Sequence, residues 1–184
     1  PIPFSTGSDI AFAVLERQPH RNGFSTWLAA AKTYAPALFI STLLGLYCAQ
    51  EILSRASEHS APLDDAFIHF QYARRLAEGT FFSYTKGAGY TSGATSFLWP
   101  LLLAPFYKLG FRELSIIPIS WCFGTLAHAA LAVETFRLAN RLAGRATAFG
   151  AAAMSLGFGA FAWFAWSGME TVPFAWMLAR TPRL

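Results

Sequence analysis

The stretch "SFLWPLLLAPFY", Ser96 to Tyr107, decides the topology of the chain. It is apolar but short. A spanning helix needs about 20 mostly apolar residues, because the hydrocarbon core is roughly 30 Å thick and an α-helix rises about 1.5 Å per residue. Pro100 and Pro105 also interrupt its hydrogen-bond ladder. We read it as an interfacial helix or a re-entrant hairpin. Were it to cross, the basic group Arg137, Arg141 and Arg145 would face outward, whereas Lys and Arg concentrate in cytoplasmic loops.

Around this stretch, three segments are long and apolar enough to span: about 33–50, 114–133 and 146–166. A fourth apolar run opens at Val172 and is lost at Arg180. Arg17, Arg21 and Lys32 put the N-terminal segment, residues 1–32, on the cytoplasmic side. The loop 51–113 is then outside, and the third span emerges on that same side at "SGMET", Ser167 to Thr171. Asp64, Asp65 and Glu170 are thereby expected to converge at one outer membrane surface.

Composition agrees with a membrane protein. Of 184 residues, 54% are hydrophobic and only 13% charged, against roughly 25% charged in soluble domains. The net charge of +4 comes from scattered Lys and Arg with no aromatic interleaving, which argues against nucleic acid as a partner. Cys48 and Cys122 both fall in apolar segments, so neither a disulfide framework nor a Cys-based zinc site is expected. The uncharged start, without an initiator Met, and the loss of the last apolar run read as the front portion of a larger membrane protein.

Two adjacent carboxylates head the helical pattern of "SAPLDDAFIHFQYARRLAEG", Ser60 to Gly79. Ser60 and Pro62 suit a helix start, and Asp64 and Asp65 suit its first turn, where carboxylates complement the helix dipole. That reading accounts for one Asp more easily than for two. Ala66, Phe70, Ala73 and Ala77 recur at helical spacing and predict an interfacial helix over 62–78 lying on the membrane. Asp65 and His69 share a face. Arg74 and Arg75 have the paired donors that hold phosphate oxygens, although such pairs more often snorkel to headgroups. The following loop, rich in Gly, Ser, Thr and aromatics and including Tyr90, suits a wall over a polar ligand as well as any exposed loop. It lacks P-loop spacing, and no nucleotide cofactor is expected.

The segments "LDDAFIHFQYARRLAEGTFFSY", "GYTSGATSFLWPLLLAPFYKLG" and "AWSGMETVPFAWML", in that order, resemble the GT-C class of membrane glycosyltransferases, closest to the protein-mannosyltransferase and arabinosyltransferase-like group. The resemblance covers roughly Thr33 to Leu178, the amino-terminal part of the family's domain. It implies an all-α integral membrane protein: a GT-C-like multi-span helical domain with juxtamembrane helices, 62–78 and 96–107, in the first outer loop. It implies Asp64 as catalytic residue, Asp65 as its neighbour or substitute, and Glu170 completing the site. His69, Arg74, Arg75 and Tyr90 are the expected substrate-binding residues. The implied partners are a polyprenyl-phosphate-linked sugar donor and a polar acceptor at the outer face of a bacterial plasma membrane. A divalent cation, Mg²⁺ or Mn²⁺, on Asp65 and Glu170 is the implied cofactor.

Two rival classes stand beside this reading. A transporter or flippase needs polar groups inside spans, and His128, the one strong candidate, suits a hydrogen-bonded packing role. The other rival is a non-catalytic membrane subunit or inactive truncated remnant. In it, Ala153 and Gly157 would serve helix packing, and Trp163 and Trp166 would anchor at the interface.

Overall fold

The computed structural model describes residues 23–56 and 60–181, with side chains from residue 31 onward. These residues form helices and loops, with no strand among them. The helices are α1 (Gly23–Ala56), α2 (Asp64–Ala77), α3 (Leu98–Lys108), α4 (Ile116–Ala143), α5 (Arg145–Gly157), α6 (Gly159–Ala165) and α7 (Thr171–Arg180), with a 3₁₀ turn, Glu113–Ser115, leading into α4. Two helices are long and apolar enough to cross a membrane: Ala31–Ala56 within α1, and Glu113–Ala143 over the turn and α4. The pair α5 and α6 passes the same test but is bent by 54°. The expectation for residues 1–32 lies mostly outside the described residues. The chain divides inside α1, and the packing below is that of Tyr34–Leu184.

Helix α4 is the centre of this unit. α3, α5, α6 and α7 all pack on it, and α2 packs on α3. The closest approach is made at Gly124, where a Cβ would overlap the backbone carbonyl of Ala165. Only glycine lets the end of α6 lie directly on α4. Gly45 of α1 is similarly placed, its missing Cβ leaving room for the indole of Trp166. By contrast Gly157, expected to pack, faces open space. Trp166, expected at the interface, is buried and donates from Nε1 to Thr125 Oγ1 at 3.0 Å.

His128 fastens three helices. Its Nδ1 lies 3.2 Å from Ser41 Oγ on α1, and its Nε2 3.3 Å from the Ser155 carbonyl on α5. The packing role expected for it is the geometry observed.

Helix α4 continues ten residues past the boundary read at Val133, because Glu134 is neutralised one turn on. Arg137 donates to Glu134 Oε1 at 2.9 Å and to Tyr34 Oη at 3.0 Å, and its guanidinium lies over the Tyr34 ring. Glu134 is fully buried, so a charged residue joins His128 inside the apolar helices. Arg137 and Arg141, read as loop charges, are helical, and the connection to α5 is Gly144 alone, at φ +83°. The expected unbroken span 146–166 is interrupted at Phe158, whose extended backbone between Gly157 and Gly159 (φ −71°, ψ 108°) separates α5 from α6.

Helix α3 has eleven residues, about 16 Å of rise, roughly half of a hydrocarbon core. The apolar stripe of α2 faces protein and not membrane: Ala66, Phe70 and Ala73 are all buried. Its partners in that face are supplied by α3 and by the loop before α7.

Candidate functional site

Helix α2 begins later than Ser60. Leu63 is the extended residue before the first turn (φ −122°, ψ 130°), no side chain caps it, and Asp64 and Asp65 are the first two helical residues. Ser60 turns instead to the neighbouring Ala61 carbonyl. With Ala66, Phe70 and Ala73 turned inward, the residue between them, His69, is carried into the interior as well.

Two loops close over that histidine. The first is strapped along α2 by Tyr72, whose buried hydroxyl accepts the Gly93 N–H at 2.7 Å and lies 2.9 Å from Thr91 Oγ1. A Cβ at Gly93 would meet that hydroxyl at 3.0 Å. Gln71 Nε2 donates to the Tyr84 carbonyl at 2.8 Å, and Tyr84 N–H donates to Thr91 Oγ1 at 2.9 Å. So held, the strap lays Thr95 Oγ1 3.2 Å from His69 Nε2.

The second loop is "SGMET". Gly168 has φ +88°, which favours glycine, and a Cβ there would press on Ala66 and Phe70 at 3.0 Å. Trp99 of α3 donates from Nε1 to the Gly168 carbonyl at 2.9 Å. Pinned against α2 and α3, this loop delivers Glu170: its Oε2 is 3.3 Å from His69 Nε2, and its Oε1 accepts from Thr95 Oγ1 at 3.3 Å. A proton on Nε2 satisfies the whole set, with His69 donating to Thr95 and Thr95 to Glu170; this tautomer is assigned from the hydrogen-bond network. His69 Nδ1 and Glu170 Oε2 are then buried without a hydrogen bond.

Burial pushes the His69 pKa down, and the negative charges of Glu170 and then Asp65 oppose the shift. Asp65 therefore acts on the ring through its field, while Asp64, exposed beside it, makes no side-chain hydrogen bond or ion pair among the described residues. Further along α2, Arg74 and Arg75 both reach Glu78, and their hydrogen bonds hold the Glu78 carboxyl below the usual carboxylate range. Arg75 also donates to the Tyr84 carbonyl. Two guanidiniums and one carboxylate leave this cluster one positive charge. Tyr90 is exposed in the loop, with its ring against Phe82.

Of the residues expected from sequence, the fold gathers Asp65, His69 and Glu170. It sets Asp64 at their edge, Arg74 and Arg75 farther along the helix, and Tyr90 out on the loop. Among the described residues no group of three or more His, Cys, Asp and Glu side chains is disposed to hold a metal ion. The two carboxylates expected to hold a divalent cation, Asp65 and Glu170, stand on either side of His69 outside any such group. Thr95, Tyr72 and Trp99 complete the arrangement without having been anticipated; Thr95 lies in a Gly- and Ser-rich stretch with no periodic signal, and Tyr72 is one more aromatic on α2.

An apolar groove of about 420 Å³ runs between α3 and α7 with Glu170 on its wall. No protein-family model matches the chain, and no characterised protein or solved structure matches it significantly.

Proposed function

We propose that the chain is part of a membrane glycosyltransferase of the GT-C type, moving a sugar from a polyprenyl phosphate to an acceptor hydroxyl at the outer face of a plasma membrane. The observation that supports it most is the meeting of α2 and "SGMET", which puts Glu170 on His69 although 101 positions separate them in the chain. These polar groups meet beside an apolar groove. An enzyme that transfers sugars at a membrane surface needs polar groups beside an apolar one.

Asp64 is the base in this reading. It is exposed and free of competing ion pairs among the described residues, so its lone pairs are available to a hydroxyl. As it takes the proton, the acceptor oxygen bonds to the anomeric carbon and the bond from that carbon to the phosphate oxygen breaks. The departing polyprenyl phosphate is already a stable anion, and the net positive cluster of Arg74, Arg75 and Glu78 suits its charge. Glu170 and Asp65, around the buried His69, orient the acceptor by accepting from its other hydroxyls.

The test is transfer from a panel of radiolabelled polyprenyl-phosphate sugars in membranes holding the full-length protein and its Asp64→Ala form. Wild type should transfer from one donor, and Asp64→Ala should lose at least about a hundredfold while inserting normally. Equal turnover by the variant removes Asp64 from the chemistry; no transfer from any donor, with insertion verified, rejects the enzyme reading.

A further inference from the structure

Ser96 precedes α3 and Glu170 precedes α7, so these two polar residues stand together at one end of the groove between the helices. Below them the walls are apolar: Leu98, Leu101 and Leu102 from α3, Phe174 and Met177 from α7. No Lys or Arg lines it. Such a shape fits an amphiphile, and the chemistry of the polar end selects which.

A carboxylate accepts hydrogen bonds and cannot donate them. Glu170 Oε2 is buried against His69 Nε2, while Oε1 takes one hydrogen bond from Thr95 and keeps a second lone pair for a donor. An anionic head would meet this carboxylate with like charge and find no cation in the lining to offset it. The arginines that suit a phosphate, Arg74 and Arg75, lie elsewhere and are tied to Glu78. Glu170 also occupies the position before the first residue of α7, where the helix dipole favours an anion; that end is already satisfied.

We propose that the groove holds the apolar tail of a hydroxyl-bearing amphiphile whose head lies at Glu170 and Ser96, and that this amphiphile is the acceptor. The word acceptor rests on the glycosyltransferase reading; the binding site does not. The acceptor is then a lipid or a lipid-anchored glycan rather than a soluble sugar, and the polyprenyl phosphate docks on another surface.

The experiment is photolabelling of the full-length protein in phosphatidylcholine vesicles with three probes carrying the same diazirine in an apolar chain: an alkyl glucoside, a polyprenyl phosphate and a phosphatidylcholine. Labelled residues are located by mass spectrometry. The glucoside should label Leu101, Leu102, Phe174 and Met177 in preference to the other two, and excess unlabelled alkyl glucoside should suppress the signal several-fold. Filling the groove from either wall, by Leu102→Trp or by Phe174→Trp, should reduce it similarly, the two variants guarding against a local folding defect in one. Preferential labelling by polyprenyl phosphate would overturn the proposal in favour of a donor site. Equal labelling by phosphatidylcholine would make the groove ordinary lipid contact, and no labelling in the groove by any probe would mean that protein fills it. Labelling needs no turnover. A failed transfer assay therefore leaves the site standing, and aspartate-dependent transfer without groove labelling rejects the acceptor site alone.

Discussion

Two buried histidines divide the molecule into two kinds of interior. His128, in the middle of α4, has a partner on each ring nitrogen, one a serine hydroxyl and the other a backbone carbonyl, and it meets Trp166 edge to face. His69, on α2, has Nε2 facing Thr95 and Glu170, the field of Asp65 nearby, and no partner on Nδ1. The first ring is saturated and joins helices. The second, equally buried, faces charge with a nitrogen to spare, an arrangement that positions a carboxylate besides filling space.

The contrast can be broken by exchanging the readouts. His69→Ala should lower glycosyl transfer per folded molecule by about a hundredfold, the scale of a misplaced substrate-orienting group, besides the stability cost of emptying a buried site. His128→Ala should cost about 2 kcal/mol of stability through lost packing and an unpaired serine while transfer per folded molecule is kept. Equal activity losses in the two variants would dissolve the distinction.

Gly168→Ala probes the link that carries Glu170 to His69. A side chain there must adopt φ +88° and press on Ala66 and Phe70, which should cost about 1–3 kcal/mol. Transfer should fall with it, and crosslinking between α2 and "SGMET" through introduced cysteines should weaken, with no change at Ser41 and His128.

Acidification sharpens the comparison further. Burial lowers the His69 pKa below its ordinary value against the pull of Glu170 and Asp65, so the unfolded chain takes up the proton first. The stability contributed by neutral His69 is complete above about pH 6.5 and is lost as pH falls below it. Between pH 7 and 5 the thermal midpoint of wild type should fall more than that of His69→Gln.

The smallest effect is expected at Ser41→Ala. It removes one hydrogen bond between helices, worth about 0.6 kcal/mol in a bilayer, and should shift unfolding slightly without touching transfer.

Much of this was readable from residue order. The shortness of Ser96–Tyr107 and its two prolines kept it out of the span count, and that count alone put "SGMET" at the same end as "DDAF". Helical spacing from Asp65 to His69 located the shared face. What spacing does not convey is the identity of the facing surface: the Ala66, Phe70 and Ala73 stripe has one pattern whether it meets lipid or Gly168. Small residues share this ambiguity, since Gly124 and Gly157 look alike in sequence and only the former lies under another helix. Glu134 looked like a boundary because its neutralising partner, Arg137, is one turn ahead and is itself held by Tyr34, 103 positions behind it. Thr95 had no signal to offer, as its role comes from a strap fixed by Tyr72.

The bend at Phe158 has a consequence for depth. Thirteen residues of α5 and seven of α6 rise about 20 Å and 10 Å, but a 54° bend leaves the second piece only about 6 Å along the direction of the first. Laid across a bilayer as one element, the pair reaches about 26 Å, short of a hydrocarbon core of roughly 30 Å. An element of that reach, set in a bilayer, would hold the loop that follows below the level of the headgroups, and Glu170 with it, where a lower dielectric would strengthen each of its contacts.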